Sequence, residues 1–252
     1  MSKNDSRFQV KFMSFMFKGK EIFKPLNTGF IDDRVSCIRE YVANIYFYTK
    51  DGHTIMIDAG YNYDRLAEKM QWLGINSKDI KEILVTHQDT DHVGAIEQGS
   101  DELFRDATIY IGNVENEYLE GRKHRKVFWG LTTLPQVIIK NPKILVEDGQ
   151  IFYIGNIKIE AFLVPGHTWG HLVYLVDDCY LFTGDTLWLG ADGGYAFLNT
   201  LAEDRKLQCQ SLQRLKEILV KRNLQLKIIT GHTGWTDDFE FAFRHVDKIC
   251  NA

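Results

Sequence analysis

The stretch Ile83-Leu84-Val85-Thr86-His87-Gln88-Asp89-Thr90-Asp91-His92-Val93-Gly94 begins as an apolar strand and then packs four ligand-type side chains into six residues. Alternate residues of an extended segment point the same way, so His87, Asp89 and Asp91 can face one site. His92 turns inward as a helix begins, and Gly94 allows close approach. An unpartnered polar group is costly to bury, so a buried strand that runs straight into His or Asp needs a reason. Taken alone, a histidine pair in a polar loop reads as surface.

Four more segments repeat the arrangement. Ile55 to Gly60 carries Asp58, Phe162 to His167 ends in Gly-His, Tyr180 to Asp185 ends in Gly-Asp, and Ile228 to His232 ends in Gly-His. In α/β folds the crevice beyond the strand ends is where ligands bind. Five apolar strands running into such residues therefore converge on one rim and read as a metal site.

Around these segments hairpins alternate with helices. Tyr41 to Tyr48 and Thr54 to Ile57 flank the Asp-Gly turn of Lys50-Asp51-Gly52-His53. Ile151 to Ile154 and Ile157 to Val164 flank Gly155-Asn156, and Leu172 to Val176 and Cys179 to Thr183 flank Asp177-Asp178. Helical periodicity runs over Tyr63 to Leu73, Leu207 to Val220 and Phe239 to Ile249. The mixture predicts an α/β protein with helices outside mixed sheets, as a single domain over 1–252. Asn113 to Asn141 fits least well. It is basic over Arg122 to Lys126 and ends near Pro135 and Pro142, and it reads as a helical insertion or lid.

Composition removes other classes. The 252 residues carry 30 basic and 34 acidic side chains, net −4, which is no footprint for nucleic acid or an anionic membrane. No apolar run reaches the roughly 18 residues of a membrane span, and Phe12 to Phe17 is too short for the core of a signal peptide. Cys37, Cys179, Cys209 and Cys250 are scattered, with no Cys-x-x-Cys pair, as free thiols in a reducing cytosol would be. The expectation is a cytoplasmic protein with a small-molecule substrate and neither a nucleic-acid nor a membrane partner; a homodimer stays open.

The order His87-x-Asp89-x-Asp91-His92, then Gly166-His167, Gly184-Asp185 and Gly231-His232, resembles the metallo-β-lactamase-like hydrolase superfamily, whose first motif is His-x-His-x-Asp-His. The resemblance covers about Tyr41 to about Val246. It implies a four-layer αββα sandwich with two mixed β-sheets and a metal site at one edge. It also implies two divalent metal ions, one held by His87, Asp89 and His167, the other by Asp91, His92 and His232, with Asp185 bridging. Asp58 matches the aspartate that orients the ligand loop from behind, and His171 takes a similar supporting or packing role. Asp89 departs from the pattern, where most members have histidine. Zinc accepts an Asp oxygen and is the expected ion, while the carboxylate also opens the site to iron or manganese.

The activity implied is metal-dependent hydrolysis. A water bridging two divalent ions loses much of its proton affinity, and the hydroxide attacks an ester, thioester or lactone carbonyl of a small substrate. Asp91 is then the catalytic proton acceptor. Hydroxyacylglutathione hydrolases and lactonases are the family members nearest in size. The alternatives are a diiron-type oxidoreductase with a separate flavin partner and a nucleic-acid-processing phosphodiesterase, the latter disfavoured by the net charge. Trp169, Trp188 and Trp235 follow closely on His167, Asp185 and His232, either as walls of a substrate pocket or as core. Tyr195, beside the Gly190 to Gly194 loop, could offer its phenol to a substrate oxygen. Arg122 to Lys126 reads as a solvated helix face, and His53, His124 and His245 as surface.

Overall fold

The computed structural model describes residues 23–249 except 62, 100–103 and 135; Phe12 to Phe17 and Cys250 lie outside the described residues. One sheet runs in the order Gly29–Phe30, Val35–Glu40, Ala43–Lys50, His53–Ile57, Glu82–Leu84, Thr108–Gly112, Lys143–Val146. Its first four strands are antiparallel and the pairings after His53–Ile57 are parallel. The other runs Ile151–Ile154, Ile157–Leu163, Leu172–Val176, Tyr180–Phe182, Lys227–Ile229, Trp235–Thr236. Here only Tyr180–Phe182 and Lys227–Ile229 pair in parallel.

Strand side chains alternate between faces, and that alternation builds the layers. On Ala43–Lys50, Tyr46 and Tyr48 point between the sheets, where they join Ile159, Ala161, Tyr174 and Phe182 of the other sheet. Their neighbours Ile45 and Phe47 point outward and pack with Leu66, Met70, Val93 and Ile96, which come from the helices Tyr63–Trp72 and Thr90–Gly99. Across the molecule, Phe162, Val173, Leu175, Leu181 and Ile228 meet Leu212, Leu215 and Leu219 of the helix Arg205–Arg222. Asp204 caps that helix by accepting from the backbone of Lys206 and Leu207, and Asn223 at φ 50 ends it. The result is the four-layer αββα sandwich that the resemblance implies.

All three hairpins form, and Asp51 (φ 50) and Gly52 (φ 79) supply the left-handed pair of a tight turn. Two segments differ from expectation. The C-terminal helix stops after Phe239–Ala242, and His245–Ile249 is a strand parallel to Gly194–Ala196. Phe239, Phe243 and Val246 are spaced by four and three residues and mimic a helical stripe; the strand Gly194–Ala196 instead offers a backbone partner. Among the described residues of 113–141 only Asn113–Leu119 is α-helix. The chain then turns through Gly121 at φ 79 into a short pairing of Lys126–Val127 with Thr132–Thr133.

The ligand-bearing loops are tied to one another across the sheets. Leu172 N donates to Thr86 O at 2.9 Å, Gly231 N to Gly184 O at 3.0 Å, and Asn44 N to Gly231 O at 2.7 Å. No helix among the described residues is long and apolar enough to cross a membrane.

Candidate metal centre

The strands Glu82–Leu84, Ile157–Leu163, Tyr180–Phe182 and Lys227–Ile229 each run out just before a buried polar residue: His87, His167, Asp185 and His232. Among the described residues, two groups have ligand atoms within 4.8 Å of one another: Asp91, His92, Asp185 and His232; and His87, His167 and Asp185. Asp185 is shared. Its Oδ1 lies 3.3 Å from His92 Nε2, and its Oδ2 lies 2.9 Å from His232 Nε2 and 3.7 Å from His167 Nε2. Asp91 Oδ2 is 3.2 Å from His232 Nε2.

The far side of three imidazoles is already engaged. His92 Nδ1 donates to Asp58 at 2.8 Å, His232 Nδ1 to the Val42 carbonyl at 2.6 Å, and His87 Nδ1 reaches Thr86 Oγ1 at 3.0 Å. Such contacts leave each Nε2 with its lone pair facing the cluster, the arrangement that metal-binding histidines adopt. Nε2 of His87 and of His92 are buried without a hydrogen-bond partner, as is Asp185 Oδ1. Buried polar atoms left in this way are rare in native proteins, and here they fall in the two ligand groups that Asp185 joins. The donor set of imidazoles and carboxylates suits zinc.

Electrostatics agree with a place for cations. Burial pushes the Asp91 and Asp185 carboxyls up, but His92 and His232 overcome it and hold both below the ordinary range, Asp185 far below. Asp89 is also held well below, against burial, by Arg125 and then by His167 and His87. Burial pushes His92 and His232 down, yet Asp185 and its neighbours raise His92 well above its usual value and His232 to about 10. His167 goes the other way, to about 4: burial and repulsion from His87 and Arg125 outweigh Asp89. His171, pushed well below its usual value by burial, stacks on His87 at 4.7 Å and accepts from Asp185 N at 3.1 Å. It supports the cluster from behind.

Asp89 sits differently from the other carboxylates. Arg125 Nε donates to its Oδ1 at 2.9 Å, Arg125 Nη2 to its Oδ2 at 3.3 Å, and Gln88 Nε2 to Oδ1 at 2.6 Å. Its Oδ2 still lies 3.2 Å from His167 Nε2 and 3.6 Å from His87 Nε2. No helix covers Arg122 to Lys126, so the solvated helix face expected there is corrected: Arg122, Lys123, His124 and Lys126 are exposed on irregular chain and a short strand, and Arg125 is 2% exposed. A buried charge requires a partner; Asp89 is the one in contact, and Glu203 Oε1 lies 3.8 Å from Arg125 Nη1.

The four aromatic candidates separate. Trp169 is 44% exposed and joins Tyr118, Lys123, His124, Lys126, Trp129 and Glu203 around a cleft of about 630 Å³. Trp188 is core, buried between Phe23 and Phe197. Trp235 is 37% exposed, and Lys227 Nζ lies 4.7 Å from the centre of its ring. The Tyr195 hydroxyl donates to Asp192, and its ring stacks on His245 in a different cleft, beside Arg205 and Lys206. Phe197 is buried and packs on the histidines instead, with ring centroids 5.0 Å from His167 and 5.4 Å from His232. Glu115 was not singled out by the sequence. Its buried carboxylate accepts from Gln88 N and Gly170 N, both at 2.9 Å, and joins the two ligand loops. No local pattern announces that role.

A family model described as the metallo-beta-lactamase superfamily matches residues 38–240. The chain is 29% identical over 179 residues to a probable polyketide biosynthesis zinc-dependent hydrolase of Bacillus velezensis, covering 71% of this chain and 67% of that protein. It is 30% identical over 148 residues to a hydroxyacylglutathione hydrolase of Buchnera aphidicola, covering 58% of this chain but only 47% of that protein, about half its length. An archaeal metallo-beta-lactamase superfamily structure from Sulfolobus tokodaii shares the fold, with a TM-score of 0.59 at 20% identity over 82% of each chain.

Proposed function

This chain belongs to the metallo-beta-lactamase superfamily, and from that membership and the geometry of its centre we propose a zinc-dependent hydrolase that cleaves an ester, thioester or lactone of a small substrate. One observation carries the reading: His87 Nε2, His92 Nε2 and Asp185 Oδ1 are buried without a hydrogen-bond partner, and they belong to two ligand groups that share Asp185. The zinc-dependent hydrolase and hydroxyacylglutathione hydrolase relatives support the reaction class.

Bound divalent ions supply Lewis acidity that lowers the proton affinity of water at the cluster. Asp91 is the proton acceptor. Its carboxylate is held ionised by His92 and His232, and at 16% side-chain exposure it is the most open of the ligand-type carboxylates. It takes the proton of the attacking water as the oxygen adds to the carbonyl carbon. It returns that proton to the alkoxide or thiolate as the C–O or C–S bond breaks. Phe197 and Phe23 shield His232, and Phe197 also shields His167, keeping water from the outer faces of these imidazoles.

The test is hydrolysis of a panel of esters, thioesters and lactones before and after removal of metal with a chelator. Activity on at least one class, lost on chelation and restored by zinc, is expected. Turnover that survives complete metal removal overturns the reading, and so does inactivity of zinc-loaded protein on every class.

A further inference from the structure

The two halves of the centre are chemically unequal, and the inequality traces to Arg125. One half offers Asp91, His92, Asp185 and His232: four ligands, two of them carboxylates. These four donors are of the kinds that zinc takes. The other half offers His87, His167 and the shared Asp185, with Asp89 at its side. Asp89 is the only carboxylate this half does not share, and it is already spent on a cation. The Arg125 guanidinium grips both of its oxygens, and Gln88 adds a third donor.

A guanidinium stays charged in proteins, and a two-point Arg–carboxylate pair is among the strongest charge-assisted contacts. Arg125 is also anchored from behind. Its Nη2 donates to the Leu201 carbonyl at 2.5 Å and its Nη1 to the Lys126 carbonyl at 3.0 Å. With 2% exposure it cannot swing into solvent without opening the segment that carries it. A metal ion entering beside His87 and His167 would meet this fixed positive charge across Asp89, in a site with little water to screen it.

We infer that Arg125 is a built-in cation of the centre, so that the chain holds one divalent ion tightly at Asp91, His92, Asp185 and His232 and a second only weakly at His87 and His167. The inference rests on the reading of the cluster as a metal centre. It adds an order of loading and a residue that sets it. The second ion then binds only at high free metal, and the Asp91 half stays filled.

Isothermal titration of metal-free protein with zinc, repeated with cobalt and read by its visible absorption, tests this. The wild-type protein should take up one equivalent tightly and a second with affinity lower by about a hundredfold or more, the scale expected for a fixed like charge in a poorly screened site. Arg125→Met removes the charge and frees Asp89 as a ligand, and the gap should close by about tenfold or more as the second equivalent tightens. Arg125→Lys keeps a cation there, and the gap should persist. His167→Ala should delete the weak equivalent and leave the tight one, while His232→Ala should lose the tight one. These two variants test the assignment even where Arg125→Met does not fold. Two equivalents of equal affinity in the wild-type protein, an unchanged gap in folded Arg125→Met, or loss of the tight equivalent in His167→Ala overturns the inference. No binding of either ion by the wild-type protein instead overturns the reading of the cluster as a metal centre.

Discussion

Oδ2 of Asp58 lies 2.8 Å from Nδ1 of His92, and it is held there by a backbone at φ 58, a conformation a non-glycine residue seldom adopts. The turn is secured by Asp58 N bonding Leu84 O at 3.0 Å and Ala59 N bonding His92 O at 2.6 Å. The same carboxylate accepts from Thr86 N at 2.8 Å and from the Thr86 hydroxyl, whose oxygen lies 3.0 Å from His87 Nδ1. One aspartate thus orients an imidazole in each half, His92 directly and His87 through Thr86. An Asn side chain has one carbonyl oxygen and cannot serve both. Asp58→Asn should weaken metal binding by about 10–100-fold, measured by competition with a chromophoric chelator. Unchanged affinity would mean that packing alone orients the two rings.

Gly231 precedes His232 in a space that admits no side chain. A Cβ there would stand 2.4 Å from Asp185 Oδ1, with the Gly184 backbone 3.2 Å away. Gly231→Ala must push Asp185, the shared ligand, out of place. The expected outcome is a loss of about 1–3 kcal/mol of stability together with loss of tight zinc binding, read by chemical denaturation and by metal titration. A variant that folds and binds zinc as the parent does would show that Asp185 is not held where the geometry requires it.

Much of this centre was readable from the chain because the signals are local. A strand followed by His167, Asp185 or His232 shows its ligand within a few residues, and the flanking glycines reflect the close packing seen at Gly231. Arg125 was not readable. Its burial depends on a turn at Gly121 and on the Leu201 carbonyl, a contact far away in sequence, whereas a run of five basic residues taken alone looks solvated. The useful signal was Asp89 itself, since an extra carboxylate at a buried rim needs a cation. For Tyr195 and Trp235 the ring direction depends on partners, His245 and Lys227, that spacing does not reveal. His245–Ile249 became a strand through pairing with Gly194–Ala196, a long-range choice that overrides local periodicity.

Glu115 joins the loop of His87 and Asp89 to the loop of His167, accepting Gln88 N and Gly170 N through separate oxygens. Glu115→Ala leaves two buried N–H groups without partners, each costing about 1–3 kcal/mol. Chemical denaturation of metal-free protein should show a loss of about 2–6 kcal/mol. Glu115→Gln retains one acceptor and should lose less. Equal stability of all three proteins would mean that water replaces the carboxylate without cost.

Glu203 gives the fold a dependence on pH. Its carboxyl accepts from Tyr118 Oη at 3.1 Å and Trp169 N at 2.9 Å. Burial pushes it up to about 7, against the pull of nearby Arg125 and with a further push from Glu115. In the unfolded chain a glutamate titrates near about 4.3, so between these values the folded state binds a proton that the unfolded state does not. Stability from this group is therefore full below about pH 4.3 and is lost as pH rises through about 7. Glu203→Gln keeps one acceptor oxygen and removes the charge. Thermal melts in chelator at pH 5.5 and pH 8 should show the wild-type protein losing more stability between the two than the variant, with a difference of about 2 kcal/mol at most. Parallel losses in the two proteins would place the pH dependence in other groups and return Glu203 to an ordinary ionised carboxylate.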